Sequence, residues 1–221
     1  MKKGTSCIHA VELIPDGAVL MIGGFIGIGA PHRIIDELVR QGRKNLTVIS
    51  NDSARPGFAT GKLIEAKLIK KLIASHIGLN PVAQRQMIAG ELEVELCPQG
   101  TLAERIRAGG FGLGGVLTPT GIGTIVAEKK RTIEVEGKEF LLETPLRADF
   151  ALIAAHRSDY SGNLEYSLTA RNFNMVMATA ADKVIVEPEH IVPVGAIPPD
   201  MVATPFVCVD YIVERDGSYG R

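Results

Sequence analysis

At 221 residues, with 46% hydrophobic and 22% charged side chains, the chain can bury a sizeable core and has the balance of one globular domain spanning 1–221. A net charge of −1 excludes the basic excess of a nucleic-acid binder, and the charge-free run 17–31 is too short and glycine-rich for a membrane span of ~20 residues. Cys7, Cys97 and Cys208 are odd in number, far apart and free of any CxxC spacing, so a disulfide framework and a metal site are not expected.

Met1-Lys2-Lys3 resembles the start of a secretion signal, but Glu12 and Asp16 interrupt any apolar segment behind it, and a cytoplasmic location is expected. Residues 6–14 read as a first helix, ended by the Pro15-Asp16-Gly17 turn. Residues 18–22 are continuously apolar, as in a strand buried on both faces. Gly23, Gly24, Phe25, Ile26, Gly27, Ile28 and Gly29 follow, a loop whose glycines leave no Cβ between a ligand and the main chain. Pro31 then opens a helix with the stripe Ile34, Ile35, Leu38 and Val39, stopped by Gly42. Strand, glycine loop and helix N-terminus together suggest an anion cradle. The Walker pattern is absent, because Gly29 is followed by Ala30 and Pro31, and His32 stands where a dinucleotide fingerprint needs its third glycine. A tight strand-to-helix connection without a ligand is the competing reading.

Leu46–Ser50 is the next buried strand and delivers Asn51 and Asp52 to its carboxyl end. A weak helix over 63–70, a strand over 71–75 ending at His76, and a helix over 81–89 capped by Gly90 come next. Residues 92–96 alternate as a strand ending at Cys97-Pro98-Gln99. Thr101 and Glu104 have the spacing of a capping box for a helix to Ala108, with Gly109 just past its end. The second glycine-dense segment, 109–123, reads as a lid or docking surface, or as an irregular core crossover. A hairpin over 132–143 turns near Gly137. A buried strand over 150–154 ends at His156, and Arg171-Asn172-Phe173-Asn174 leads into a helix through Ala181. Strands over 184–186 and 207–213 are separated by the proline-rich connection 191–199.

This alternation predicts an α/β fold: an open, mainly parallel sheet with helices on both faces and a small β-hairpin insertion. In such sheets ligands bind at the carboxyl ends of strands, which here gather the 23–29 loop, Asn51, Asp52, His76, Gln99 and His156. No G-x-S-x-G nucleophile elbow is present, and His76 and His156 stand alone in the sequence. Glu91, Glu93 and Glu95 share one strand face and read as a solvated edge. Gln99 offers two amide N–H donors, either to a developing negative charge or to a structural turn.

Five ordered segments, GGFIGIGAPHRIIDEL, ELEVELCPQGTLAERIRAGG, LTPTGIGT, LRADFALIAAH and LTARNFN, resemble the alpha subunits of class I coenzyme A transferases. The likeness extends to acetate/acetoacetate-type alpha subunits and to the N-terminal half of fused 3-oxoacid CoA-transferases. It implies the fold shared by CoA-transferases and ribose-5-phosphate isomerase, with CoA as substrate and no metal. It also implies a beta-subunit partner, in an αβ or (αβ)₂ heteromer, and ping-pong transfer between an acyl-CoA and a short carboxylic acid. In that family a glutamate followed two residues later by glycine becomes a glutamyl-CoA thioester, and this chain contains no Glu-x-Gly. The resemblance therefore assigns the nucleophile to the partner. It carries CoA contact over to Gly23–Gly29 and a supporting role near the thioester to Gln99. A self-sufficient sugar-phosphate isomerase and a non-catalytic acyl-CoA or sugar-phosphate binding module are the alternatives. The motifs leave the acyl substrate open.

Overall fold

The computed structural model describes residues 3–214. The strands are β1 (Gly4–Thr5), β2 (Val19–Ile22), β3 (Leu46–Ser50), β4 (Ile69–Ala74), β5 (Glu93–Leu96), β6 (Val116–Thr118), β7 (Thr132–Val135), β8 (Lys138–Glu143), β9 (Ala148–Asp159), β10 (Leu164–Glu165), β11 (Ala181–Val192) and β12 (Tyr211–Val213). The helices are α1 (Cys7–Glu12), α2 (His32–Gln41), α3 (Thr60–Glu65), α4 (Pro81–Ile88), α5 (Gln99–Gly110) and α6 (Phe173–Met177).

The main sheet runs β1-β12-β11-β9-β2-β3-β4-β5, and all of these neighbours are parallel. The short β10 adds antiparallel to β9. Period-two alternation sends successive side chains to opposite faces, and the core divides accordingly. Leu20, Ile22, Val48, Leu72 and Leu152 face one cluster, closed by Ile34, Ile35 and Leu38 of α2 and by Leu63 of α3. Met21, Ile49, Ile73, Ala151 and Ile153 face the other, closed by Leu102 and Ile106 of α5 and Phe173 and Met177 of α6. Helices on both faces are thus what lets β2 be apolar throughout.

Local chemistry sets several boundaries. Ser6 caps α1 by accepting from His9 N at 3.1 Å, and Asn80 caps α4 by accepting from Val82 N and Ala83 N, both at 3.1 Å. Gly42 ends α2 in the left-handed conformation at φ 67°. The hairpin over 132–143 forms as β7 and β8, with Gly137 at φ 73° in its turn.

Five expectations need correction. The helix expected over 63–70 stops at Glu65, where Lys67 turns to φ 53°, and β4 already begins at Ile69. The capping box at Thr101 does not form: α5 starts at Gln99, directly after Pro98, so Thr101 lies in its first turn with its hydroxyl buried and unpartnered. Gly109 is not past the helix but inside it, and glycine stands there for close packing, since a Cβ would come within 1.9 Å of Leu146 O. The helix expected through Ala181 is the short α6, and Ala181 opens the twelve-residue β11. Likewise 207–213 is a 3₁₀ turn at Phe206–Cys208 followed by β12. Within the second glycine-dense segment, β6 pairs with β8, so part of that segment is built into a three-stranded antiparallel sheet.

Candidate active site

The loop after β2 is a tight hairpin. Phe25 and Ile28 exchange backbone hydrogen bonds, 3.0 Å in each direction, across Ile26 (φ 51°) and Gly27 (φ 81°). Two successive positive φ values are the requirement of a type I′ turn, and Gly27 meets it without strain. A Cβ at Gly27 would also lie 2.3 Å from the Phe58 ring.

Most of the loop's donors point inward. Gly23 N donates to Leu152 O at 2.9 Å, Gly24 N to Asn172 Oδ1 at 3.2 Å, and Ile26 N to Asp52 Oδ2 at 2.8 Å. The helix end behind the loop is occupied as well: Glu187 of β11 accepts from Arg33 N at 3.2 Å and Ile34 N at 3.0 Å. An anionic side chain therefore already sits on the positive end of α2. The anion cradle expected from the sequence is filled from within. What the loop offers outward is apolar: Phe25 is 40% and Ile28 55% exposed.

The carboxyl ends of β3 and β5 meet beside this loop. Gln99 Nε2 donates to Asn51 Oδ1 at 2.7 Å, and Asn51 Nδ2 donates to Asp52 Oδ2 at 2.6 Å. Asp52 Oδ1 accepts from Ala54 N at 2.7 Å. Asn51 and Asp52 are 1% and 5% exposed, so these bonds form largely out of water. Ser75 at the end of β4 fixes the Asn51 carbonyl through its backbone N at 2.8 Å and its hydroxyl at 2.6 Å. Asp52 thus links Gln99, through Asn51, to the apex of the glycine loop.

Phe25 and Gln99 line one cavity of about 1080 Å³, on the α5–α6 side of the sheet. Its wall is mixed, with Phe111, Val176 and Val207 beside Arg107 and Arg171. The carboxylates on the wall are engaged: Asp182 pairs with Arg147 at 3.2 Å, and Asp210 accepts from Val184 N at 2.8 Å. Burial pushes the Cys208 thiol on this wall above its ordinary value.

Over residues 5–215 the chain matches the protein family described as coenzyme A transferase. This chain belongs to that family. It is 53% identical over 204 residues to the acetate CoA-transferase subunit alpha of Escherichia coli K12, covering 92% of this chain and 93% of that one. It is 52% identical over 200 residues to the acetoacetyl-CoA:acetate/butyrate CoA transferase alpha subunit of Clostridium acetobutylicum, covering 90% and 92%. The fold matches an acyl-CoA transferase of Escherichia coli O157:H7, solved as a thioester complex with CoA, at a TM-score of 0.86 and 23% identity. There 99% of this chain covers 49% of the other, so this chain spans about half the length of that protein. At such identity the likeness shows the fold.

Within this coenzyme A transferase chain, the structure brings Gln99, Asn51, Asp52 and the 23–29 loop together, as the sheet topology requires. His76 bridges to Asp52 through backbone only. His156 lies elsewhere: its Nδ1 is 2.7 Å from Glu189 Oε2, and its ring packs on His190. The isolated histidine of the sequence is thus a member of a surface His156–Glu189–His190 group, whose ligand atoms lie within 4.8 Å of one another. Sequence reading missed the loop's clamps. Asn172 Nδ2 donates to Ile28 O and Asn174 Nδ2 to Gly29 O, both at 2.9 Å. A Cβ on Gly23 would fall 1.8 Å from Asn174 Oδ1, which explains glycine at that position. The Arg171-Asn172-Phe173-Asn174 run was visible, but its partner is about 145 residues away.

Proposed function

We propose that this chain is the alpha subunit of a CoA-transferase that exchanges CoA between an acyl-CoA and a short carboxylic acid, drawn from acetate, butyrate, acetoacetate and other 3-oxoacids. The reading is supported by relatives about half identical over nearly their whole length, which are named as such alpha subunits. The observation that carries it is that Gln99 and Phe25 of the glycine loop line one open cavity in a chain that contains no Glu-x-Gly. A pocket of that kind suits half of a covalent transferase.

In the proposed reaction a glutamate carboxylate of the beta subunit attacks the thioester carbonyl, and CoA leaves as its thiolate. The thiolate then attacks the glutamyl carbonyl of the resulting anhydride, which gives the glutamyl-CoA thioester and releases the first acid. The second acid reverses both steps. Gln99 has one amide N–H on Asn51 and a second to place on the developing oxyanion. Gly23, Gly24, Phe25, Ile26, Gly27, Ile28 and Gly29 contact CoA, with Phe25 and Ile28 packing against its apolar part. Such remote contacts serve catalysis when their binding energy is realised in the transition state. The three free thiols suit a reducing cytoplasm. Among the described residues no helix is long and apolar enough to cross a membrane.

The test is co-expression with a beta subunit carrying Glu-x-Gly, followed by acyl exchange over short acids and 3-oxoacids. Exchange with parallel double-reciprocal plots is the expected result. A stable heteromer that exchanges CoA with none of these acids would overturn it.

A further inference from the structure

The hydrogen-bonded run from the glycine loop to Gln99 has a direction. Backbone N–H groups donate and cannot accept, and two of them, Ile26 N at 2.8 Å and Ala54 N at 2.7 Å, end on the two oxygens of Asp52. Asp52 is therefore the acceptor at the root of the run. Asn51 must turn its Nδ2 toward it, at 2.6 Å. That leaves Asn51 Oδ1 facing Gln99, which must in turn present Nε2, at 2.7 Å. A primary amide is nearly symmetric in shape and can be flipped at little steric cost. Here one carboxylate decides the orientation of two amides in series.

We infer that Asp52, acting through Asn51, is a positioning residue that holds the Gln99 amide with its nitrogen toward the reacting thioester and pins the apex of the glycine loop in the same act. The inference rests on the proposed role of Gln99 in the transferase. Asp52 and Asn51 line no part of the cavity themselves, so the inferred effect of each runs through Gln99 and the loop. Burial of both, at 5% and 1% exposure, keeps water from competing for these bonds. With an asparagine at position 52, the root could donate as well as accept, and both amides downstream would be free to flip.

Two variants separate the branches. Asn51→Ala cuts the link to Gln99 and leaves Asp52 on the loop; Asp52→Asn disturbs both. In the assembled heteromer, Asn51→Ala should lower kcat by about ten-fold or more with little change in KM for acyl-CoA. Asp52→Asn should lower kcat similarly and also raise that KM. In Gln99→Ala heteromers the Asn51→Ala change should cost kcat nothing further, because residues that act as one unit are not additive. A purely structural Asn51 would give losses that multiply. That result, or an unchanged kcat in Asn51→Ala beside a crippled Gln99→Ala, would overturn the inference.

A second readout is independent of the reaction. In heteromers containing an isotope-labelled chain, the Gln99 side-chain amide signals, assigned by their loss in Gln99→Ala, should move in both Asn51→Ala and Asp52→Asn. Signals that stay in place in both would overturn the relay even if activity fell. Signals that move in heteromers that transfer no CoA would support the relay and overturn the transferase reading instead.

Discussion

Gln99 carries the sharpest residue-scale prediction. A positioned amide donor to an oxyanion contributes roughly 2.7–4 kcal/mol when dry and less when partly solvated. Gln99→Ala in the heteromer should therefore lower kcat by about ten- to a thousand-fold, with assembly retained. Gln99→Glu should be as damaging, since a carboxylate would face the Oδ1 of Asn51 and repel the developing oxyanion. Steady-state kinetics with gel filtration of the heteromer checks both. At Gly27 a valine must adopt φ 81° and overlap Phe58, at a cost of ~1–3 kcal/mol. Its expected signature is weaker CoA binding in calorimetry with the fold kept. Alanine at Gly57, also at positive φ but with nothing within 4 Å, is the control that should leave CoA affinity alone. At this scale the sequence marked Gln99 and the loop but not what holds them. Asn51 is 48 positions from Gln99, and nothing in local pattern pairs two amides across that distance.

At the scale of elements, Arg105 ties α5 to its surroundings. Its Nε donates to Thr144 O at 2.8 Å and its Nη1 to Glu95 Oε1 at 2.8 Å, with the Glu143 carboxylate 3.9 Å away. Glu143, 2% exposed, also takes Lys130 at 2.6 Å. Helix α5, strand β5 and the three-stranded sheet thus share one ion network. Removing Arg105 leaves buried carboxylate charge undercompensated, and Arg105→Ala should cost roughly 3 kcal/mol in denaturant unfolding. Burial pushes the Glu95 carboxyl up, yet hydrogen bonds from Arg105 and Lys71 overcome it and hold the group below its ordinary 4.5. A carboxyl depressed on folding gives stability that is present above its unfolded value and lost as pH falls through the folded one. Melting temperature should therefore decline on acidification below about pH 4.5, and Glu95→Gln should flatten that decline. The solvated-edge reading of Glu91, Glu93 and Glu95 was sound for the first two, which pair with Lys67 and Lys71 at the surface. Glu95 is the more enclosed of the three, its side chain 36% exposed, because Arg105 reaches it from α5, a pairing that the strand's own pattern does not reveal.

At the scale of the molecule, β2 through β5 lie in the sheet in the order in which they occur in the chain, and this half was legible from strand–helix alternation. The other half was not: β9 pairs with β2 across 130 residues, because strand partners are chosen by burial rather than by nearness in sequence. The missing Glu-x-Gly gives a whole-chain prediction. The isolated chain should show no acyl exchange, and hydroxylamine trapping after acyl-CoA treatment of the heteromer should modify the partner alone. A modified glutamate in this chain would refute that division of labour. Glu187, brought by the same late strands to the start of α2, makes the protein its own counterion. The wild-type helix end should then be indifferent to phosphate in the buffer, whereas Glu187→Ala should open a vacancy between Arg33 and the freed amides. Melting of that variant should rise with phosphate concentration and fall back when chloride replaces phosphate at equal ionic strength. One acidic side chain thus separates a helix start that ignores the salt around it from one that would answer to it.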